Sequence, residues 1–203
     1  SKIQPASIDL TANYSFTGTN SVAGLDYEEK KLATVTASSS ATLSFTSSID
    51  STYNIYKFRF INMHPATNQV HFQVGFRDGG TDYDASKTST YFEAKHNEAD
   101  NDTGVVYNTG LDQANATGFQ HLLENVGNGN DESASGELFL FDPSSTTFVK
   151  HFIARTQYYH SNDISLDIHL AGYCNTTTAI DGVQFKMSSG NIDSGTIEMY
   201  GIN

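Results

Sequence analysis

The feature that most restricts this chain is a side-chain period of two. Tyr56, Phe58 and Phe60 alternate with Lys57 and Arg59, and Val70, Phe72, Val74 and Phe76 alternate with His71, Gln73 and Arg77. Successive side chains of an extended strand point to opposite faces, so such a segment has one apolar face, whereas a helix would need apolar residues every three to four positions. The same alternation marks Leu32 to Thr36, Leu43 with Phe45, Thr88 to His96, Glu137 to Phe141, Thr147 to Tyr158, Leu166 to Tyr173, Ala179 to Met187 and Gly195 to Tyr200. In the penultimate segment Val183, Phe185 and Met187 share a face. Charged residues make up only 17%, and Ser, Thr, Asn and Gly dominate the polar remainder, which favours strands and turns over helices. Roughly nine strands with short turns predict an all-β, antiparallel two-sheet β-sandwich, jelly-roll-like in its connections.

The turns refine this expectation. Ser38-Ser39-Ser40 predicts a hairpin between the first two strands, and Ser188-Ser189-Gly190-Asn191 predicts another into the last. Gly201 allows close packing at the terminus. Asp78-Gly79-Gly80 ends the strand before it, since Gly tolerates positive φ and Asp bonds its own downstream backbone. From Asn97 to Glu132 the alternation lapses into an excursion rich in Asn, Asp and Gly, with short apolar patches at Val105-Val106-Tyr107 and Phe119 to Leu123. Connections usually run to about 4–6 residues, so this one has a task of its own. Residues 1–26 show no sustained period. With scattered Ile3, Ile8, Leu10, Tyr14 and Phe16, they read as an extended arm for anchoring or subunit contact, leaving 27–203 as the sandwich domain.

A formal net charge of -12 repels phosphate backbones and anionic membrane surfaces, which argues against nucleic acid as a ligand. No run of 18 apolar residues exists and the start has no apolar signal core, so neither membrane insertion nor secretion is encoded visibly. The single Cys174 cannot form an intrachain disulfide, so the core must hold the fold, with or without partner subunits.

Candidate chemistry is sparse. Seven histidines (His64, His71, His96, His121, His151, His160 and His169) offer acid–base groups, but His71 and His169 stand at polar positions of alternating strands and read as sheet-surface residues. Cys174, in Ala171-Gly172-Tyr173-Cys174-Asn175, has no nucleophile context and reads as a packed strand residue. No zinc spacing occurs. Asp78, Asp82 and Asp84, and separately Glu98, Asp100 and Asp102, are hard oxygen donors in loops, which leaves calcium as the one cofactor to consider. Gly127-Asn128-Gly129-Asn130-Asp131 carries negative charge where a phosphate cradle would want cations, and reads as a surface turn. Tyr158-Tyr159-His160, with Tyr83, Tyr91 and Tyr107, could stack on sugar rings, although packing within or between subunits explains them as well. No catalytic, cofactor-binding or metal-ligating residue is assigned, and the chain reads as non-enzymatic.

Three segments carry a resemblance: Ile8 to Gly18, Ser144 to Phe152, and above all Phe185-Lys186-Met187-Ser188-Ser189-Gly190-Asn191-Ile192-Asp193-Ser194-Gly195-Thr196-Ile197-Glu198-Met199-Tyr200-Gly201-Ile202. They resemble virion structural proteins of tailed bacteriophages, notably marine ones. The resemblance implies display on the virion surface, usually as a homotrimer, with the major capsid protein or other virion proteins as partners. It covers capsid decoration proteins, head fibres and tail fibres without fixing the role. A short arm joined to one compact domain, lacking a long shaft, favours a capsid decoration (cement or head-fibre) protein, with a tail-fibre module recognising host surface glycans as the alternative.

Overall fold

The computed structural model describes residues 29–203. The arm expected over residues 1–26 lies outside the described residues. Within them are twelve strands and no helix. In chain order these are β1 (Lys30–Thr36), β2 (Leu43–Phe45), β3 (Ile55–Pro65), β4 (Val70–Arg77), β5 (Lys87–Asn97), β6 (Thr103–Tyr107), β7 (Gln120–Val126), β8 (Ala134–Phe141), β9 (Lys150–His160), β10 (Ile164–Cys174), β11 (Gly182–Met187) and β12 (Ile192–Ile202).

All pairings are antiparallel, and the strands form one continuous sheet. A larger run has the order β1-β12-β3-β8-β9-β10-β5-β6, and a smaller run the order β7-β4-β11-β2. One rung, Val126 with His160, joins them. It forms because β8 ends where Ala134 meets Tyr158, and β7 takes up the edge of β9 just beyond. The sheet therefore curls into a nearly barrel-shaped body instead of parting into two separately bonded sheets.

The predicted alternation is what fills the interior. Phe185 of β11 sits among the rings of Phe45, Phe58, Phe60 and Phe72, with centroid separations of 6.2, 5.5, 5.2 and 5.8 Å. Those rings come from β2, β3 and β4, so the cluster ties the smaller run to the larger. Phe76 of β4 meets Phe152 of β9 at 5.2 Å and does the same further along. Each buried aromatic removes a large apolar area from water, and edge-to-face or offset contacts add to that gain. Val183, Phe185 and Met187 are all buried, as are Ile197 and Met199.

Three features differ from expectation. The two predicted hairpins are not hairpins: β1 pairs with β12 while β2 pairs with β11, and β11 pairs with β2 and β4 while β12 pairs with β1 and β3. Both serine turns reverse the chain but carry it into the other run, where each strand finds its hydrogen-bonding partners. The segment 97–132 contains β6 and β7, built on the two apolar patches noted above. Finally, the count is twelve strands instead of roughly nine, since in β6 and β7 consecutive apolar residues (Val105-Val106-Tyr107 and Leu122-Leu123) obscure the period of two.

Candidate functional site

Strand parity separates the inner face of the larger run from its outer face. On β9, Phe152, Ala154, Thr156 and Tyr158 point inward, so Ile153, Arg155 and Gln157 point outward. The register then assembles rows across the outer face. One row places Tyr107, Phe92, His169, Arg155, Glu137, Arg59 and Glu198 side by side on β6, β5, β10, β9, β8, β3 and β12. The next places Thr90, Ala171, Ile153, Phe139, Lys57 and Tyr200 in line.

Between these rows lies an open groove of about 320 Å³, lined chiefly by Phe92, Phe139, Ile153, Arg155 and His169. Phe92 and Ile153 are 41% and 45% exposed, high for apolar side chains at the centre of a sheet. The Phe92 ring and the His169 imidazole are stacked, 4.9 Å apart and 4° from parallel. Together they make a flat platform at one end of the groove.

Much of the polar border is already paired. Arg155 donates through Nε and Nη2 to the two carboxylate oxygens of Asp167 at 3.0 and 2.8 Å, a bidentate fork. His169 Nε2 lies 3.4 Å from the same carboxylate. The Arg155 hydrogen bond holds the Asp167 pKa below the usual carboxylate range, so Asp167 is an acceptor and not a proton donor. Further along, Arg59 lies over the Tyr200 ring at 5.0 Å, Tyr200 donates to Glu198 at 2.6 Å, and Lys57 is paired with Glu29. Alternating charges of this kind hold one another in place and leave the groove floor apolar.

The residues singled out from sequence are dispersed. Asp102 pairs with Lys95 at 2.8 Å, Asp100 with His96 at 3.0 Å, and Glu98 accepts from Tyr159 at 3.1 Å, so each carboxylate of that loop serves a different side chain. Asp82 and Asp84 are exposed. Among the described residues no three His, Cys, Asp or Glu side chains gather as a metal-holding group. Tyr91 and Tyr158 are buried in the interior, Tyr83 packs on the smaller run and Tyr107 stands at the sheet edge, so the tyrosines do not converge. Tyr159 is pushed up to about 12 by its hydrogen bond to Asp163, with burial and Glu98 adding to the rise. In the turn 127–131, Glu132 folds back to accept from the backbone N–H of Gly129.

The interior holds its own polar groups at opposite ends. Cys174 is register partner to both Lys87 and Lys150, and burial pushes its thiol up to about 12, which makes it a packed, unreactive residue. Lys87 donates to the Ala85 carbonyl at 2.7 Å and Lys150 to that of Thr176 at 3.1 Å; burial lowers both ammonium pKa values. Toward the other end Glu93 and Glu124 are raised, chiefly by burial, near the buried tyrosines 91 and 158.

Of the groove residues only His169 stood out from the sequence. The signal for the others was the break in alternation: apolar residues also occupy the polar parity in Tyr91-Phe92, Leu138-Phe139-Leu140 and Phe152-Ile153-Ala154. Compared with family models, curated proteins and solved structures, the chain matches none.

Proposed function

We propose that this chain is a non-enzymatic surface protein of a bacteriophage virion, a capsid decoration protein that binds the major capsid shell through the outer-face groove. The observation that carries the contact role is the groove itself. An apolar floor with half-exposed Phe92 and Ile153, beside the paired charges of Arg155 and Asp167, suits burial against a protein surface. The border carboxylates with shifted pKa values, Asp167 and Glu198, are both shifted downward, which disfavours a role as general acid. The virion placement rests on the likeness of Ile8 to Gly18, Ser144 to Phe152 and Phe185 to Ile202 to phage structural proteins. In this reading the curled sheet is a jelly-roll-like sandwich, its two runs serving as the facing layers.

A second reading is favoured by the stacked Phe92–His169 platform: recognition of a host surface glycan. A flat aromatic face beside planar polar groups such as Arg155, Asp167 and Glu137 is suited to a sugar ring. Localisation on intact particles by cryo-electron microscopy or immunogold separates the readings. Copies spread over the shell support decoration, confinement to the tail supports host recognition, and absence from particles rejects the virion reading.

A further inference from the structure

Among the described residues the sheet ends at three strands, and they are protected unequally. An edge strand presents unpaired N–H and C=O groups that invite another strand, and proteins blunt such edges with lysine, brevity or burial. β1 carries Lys30 and Lys31, and β2 has three residues, of which Leu43 and Phe45 are buried. β6 has neither protection. Among the described residues it pairs only with β5, all five of its residues are exposed, and Thr103-Gly104-Val105-Val106 contains no ionisable group. Val105, Val106 and Tyr107 are 73%, 43% and 50% exposed, and Phe92 lies directly opposite Tyr107.

We propose that β6 is a self-association edge, pairing antiparallel with β6 of a second copy of this chain about a two-fold axis at Val105. The hydrogen-bond phase fits. Asn97 N–H donates to the Asp102 carbonyl, and Asn108 N–H to that of Tyr91, so even-numbered positions serve β5. Alternation then aims the backbone groups of Thr103, Val105 and Tyr107 off the edge. A two-fold axis at Val105 sets Val105 against its own copy and Thr103 against Tyr107, each pair exchanging N–H···O bonds in both directions.

Charge selects this partner and this direction. Two copies of a chain with net charge -12 repel, so contact is least costly along an uncharged strand. Antiparallel pairing sends the two acidic turns, each with Glu98, Asp100 and Asp102, to opposite ends, where each meets the uncharged Asn108-Thr109-Gly110 of the other copy. Asp112, which accepts from the Tyr107 hydroxyl, also faces that end, and Lys95 on Asp102 offsets it. Parallel pairing would lay the acidic turns side by side. The contact is small, so association is weak in solution and strengthens where copies are crowded on a common support. This pairing does not depend on the virion reading.

Sedimentation velocity of the full chain from about 1 µM to 1 mM tests it. The expected result is a reversible monomer–dimer equilibrium, displaced at least tenfold to higher concentration by Val105→Lys, with unchanged circular dichroism. Val105→Cys is expected to give a disulfide-linked dimer on oxidation, and Thr34→Cys on the β1 edge to give none. If the lysine variant fails to fold, the cysteine pair decides alone. A monomer throughout, a dimer indifferent to Val105→Lys, no cross-link at position 105, or a trimer of the kind the resemblance implies overturns the two-fold pairing.

Discussion

The imidazoles of His71 and His121 lie stacked on neighbouring strands β4 and β7, with ring centroids 4.5 Å apart and planes 14° from parallel. The Nδ1 atoms of both are buried and make no hydrogen bond. Two rings packed in this way, each with a buried Nδ1 that has no partner, favour the neutral form. Burial lowers both pKa values, and for His121 burial together with His71 brings it to about 4.

The pair therefore makes stability fall in acid. Above the ordinary histidine pKa of 6.5 the His121 ring is neutral in both folded and unfolded chains and adds no pH dependence. As pH drops from there toward 4, the unfolded chain takes up a proton that the folded chain refuses, costing roughly 2 kcal/mol by pH 4.5. Glu93 and Glu124, raised by burial, act in the opposite sense, so the comparison must be made between variants. Urea unfolding at about pH 7 and pH 4.5 should show that His121→Gln loses less stability on acidification than the parent. Equal losses would refute the assignment.

Phe185→Ala should be among the most damaging single changes. It removes the ring shared by Phe45, Phe58, Phe60 and Phe72 and leaves a cavity between the two runs. A loss of about 3–5 kcal/mol is expected in chemical denaturation, against less than about 1.5 kcal/mol for Phe185→Leu if that side chain repacks.

Gly172→Ala should destabilise although it is a small change. A Cβ at this position would stand 2.6 Å from Phe152 Cζ and 2.6 Å from the Thr88 carbonyl oxygen. Both neighbours sit in adjacent strands, so relief requires moving β5 or β9, at a cost of about 1–3 kcal/mol in thermal or urea unfolding.

The groove variant Ile153→Asp should leave folding nearly intact, within about 0.5 kcal/mol, because the side chain is already half exposed. Its binding to phage particles or capsid shells should fall at least tenfold in a co-sedimentation assay, as is usual when the apolar centre of an interface receives a charge. Undiminished binding would move the contact surface elsewhere. Phe92→Ala tests the platform separately: a loss on glycan arrays with shell binding kept would favour the sugar reading.

Much of the fold was legible because burial on one face leaves a period of two in the sequence. Tyr56-Phe58-Phe60, Val70-Phe72-Val74-Phe76 and Val183-Phe185-Met187 all lie where alternation put them, inside. β6 showed only as the apolar patch Val105-Val106-Tyr107, because consecutive apolar residues occupy both parities and leave no period of two. The groove was largely hidden for the opposite reason. Leu138-Phe139-Leu140 is apolar on both parities, and a run of that kind does not reveal which face meets the core.

The sequence by itself determined that the described residues are all-β, which side chains each strong strand buries, and that the one thiol has no partner within the chain, because these follow from local periodicity and composition. Tertiary structure alone decided which strands pair, that both serine turns cross between runs, that Val126 meets His160, and that Phe92, Ile153, Arg155 and His169 share a surface. Those outcomes depend on how distant segments bury one another's faces. A turn sets where the chain reverses, but the partner that covers an apolar face is chosen by the whole body.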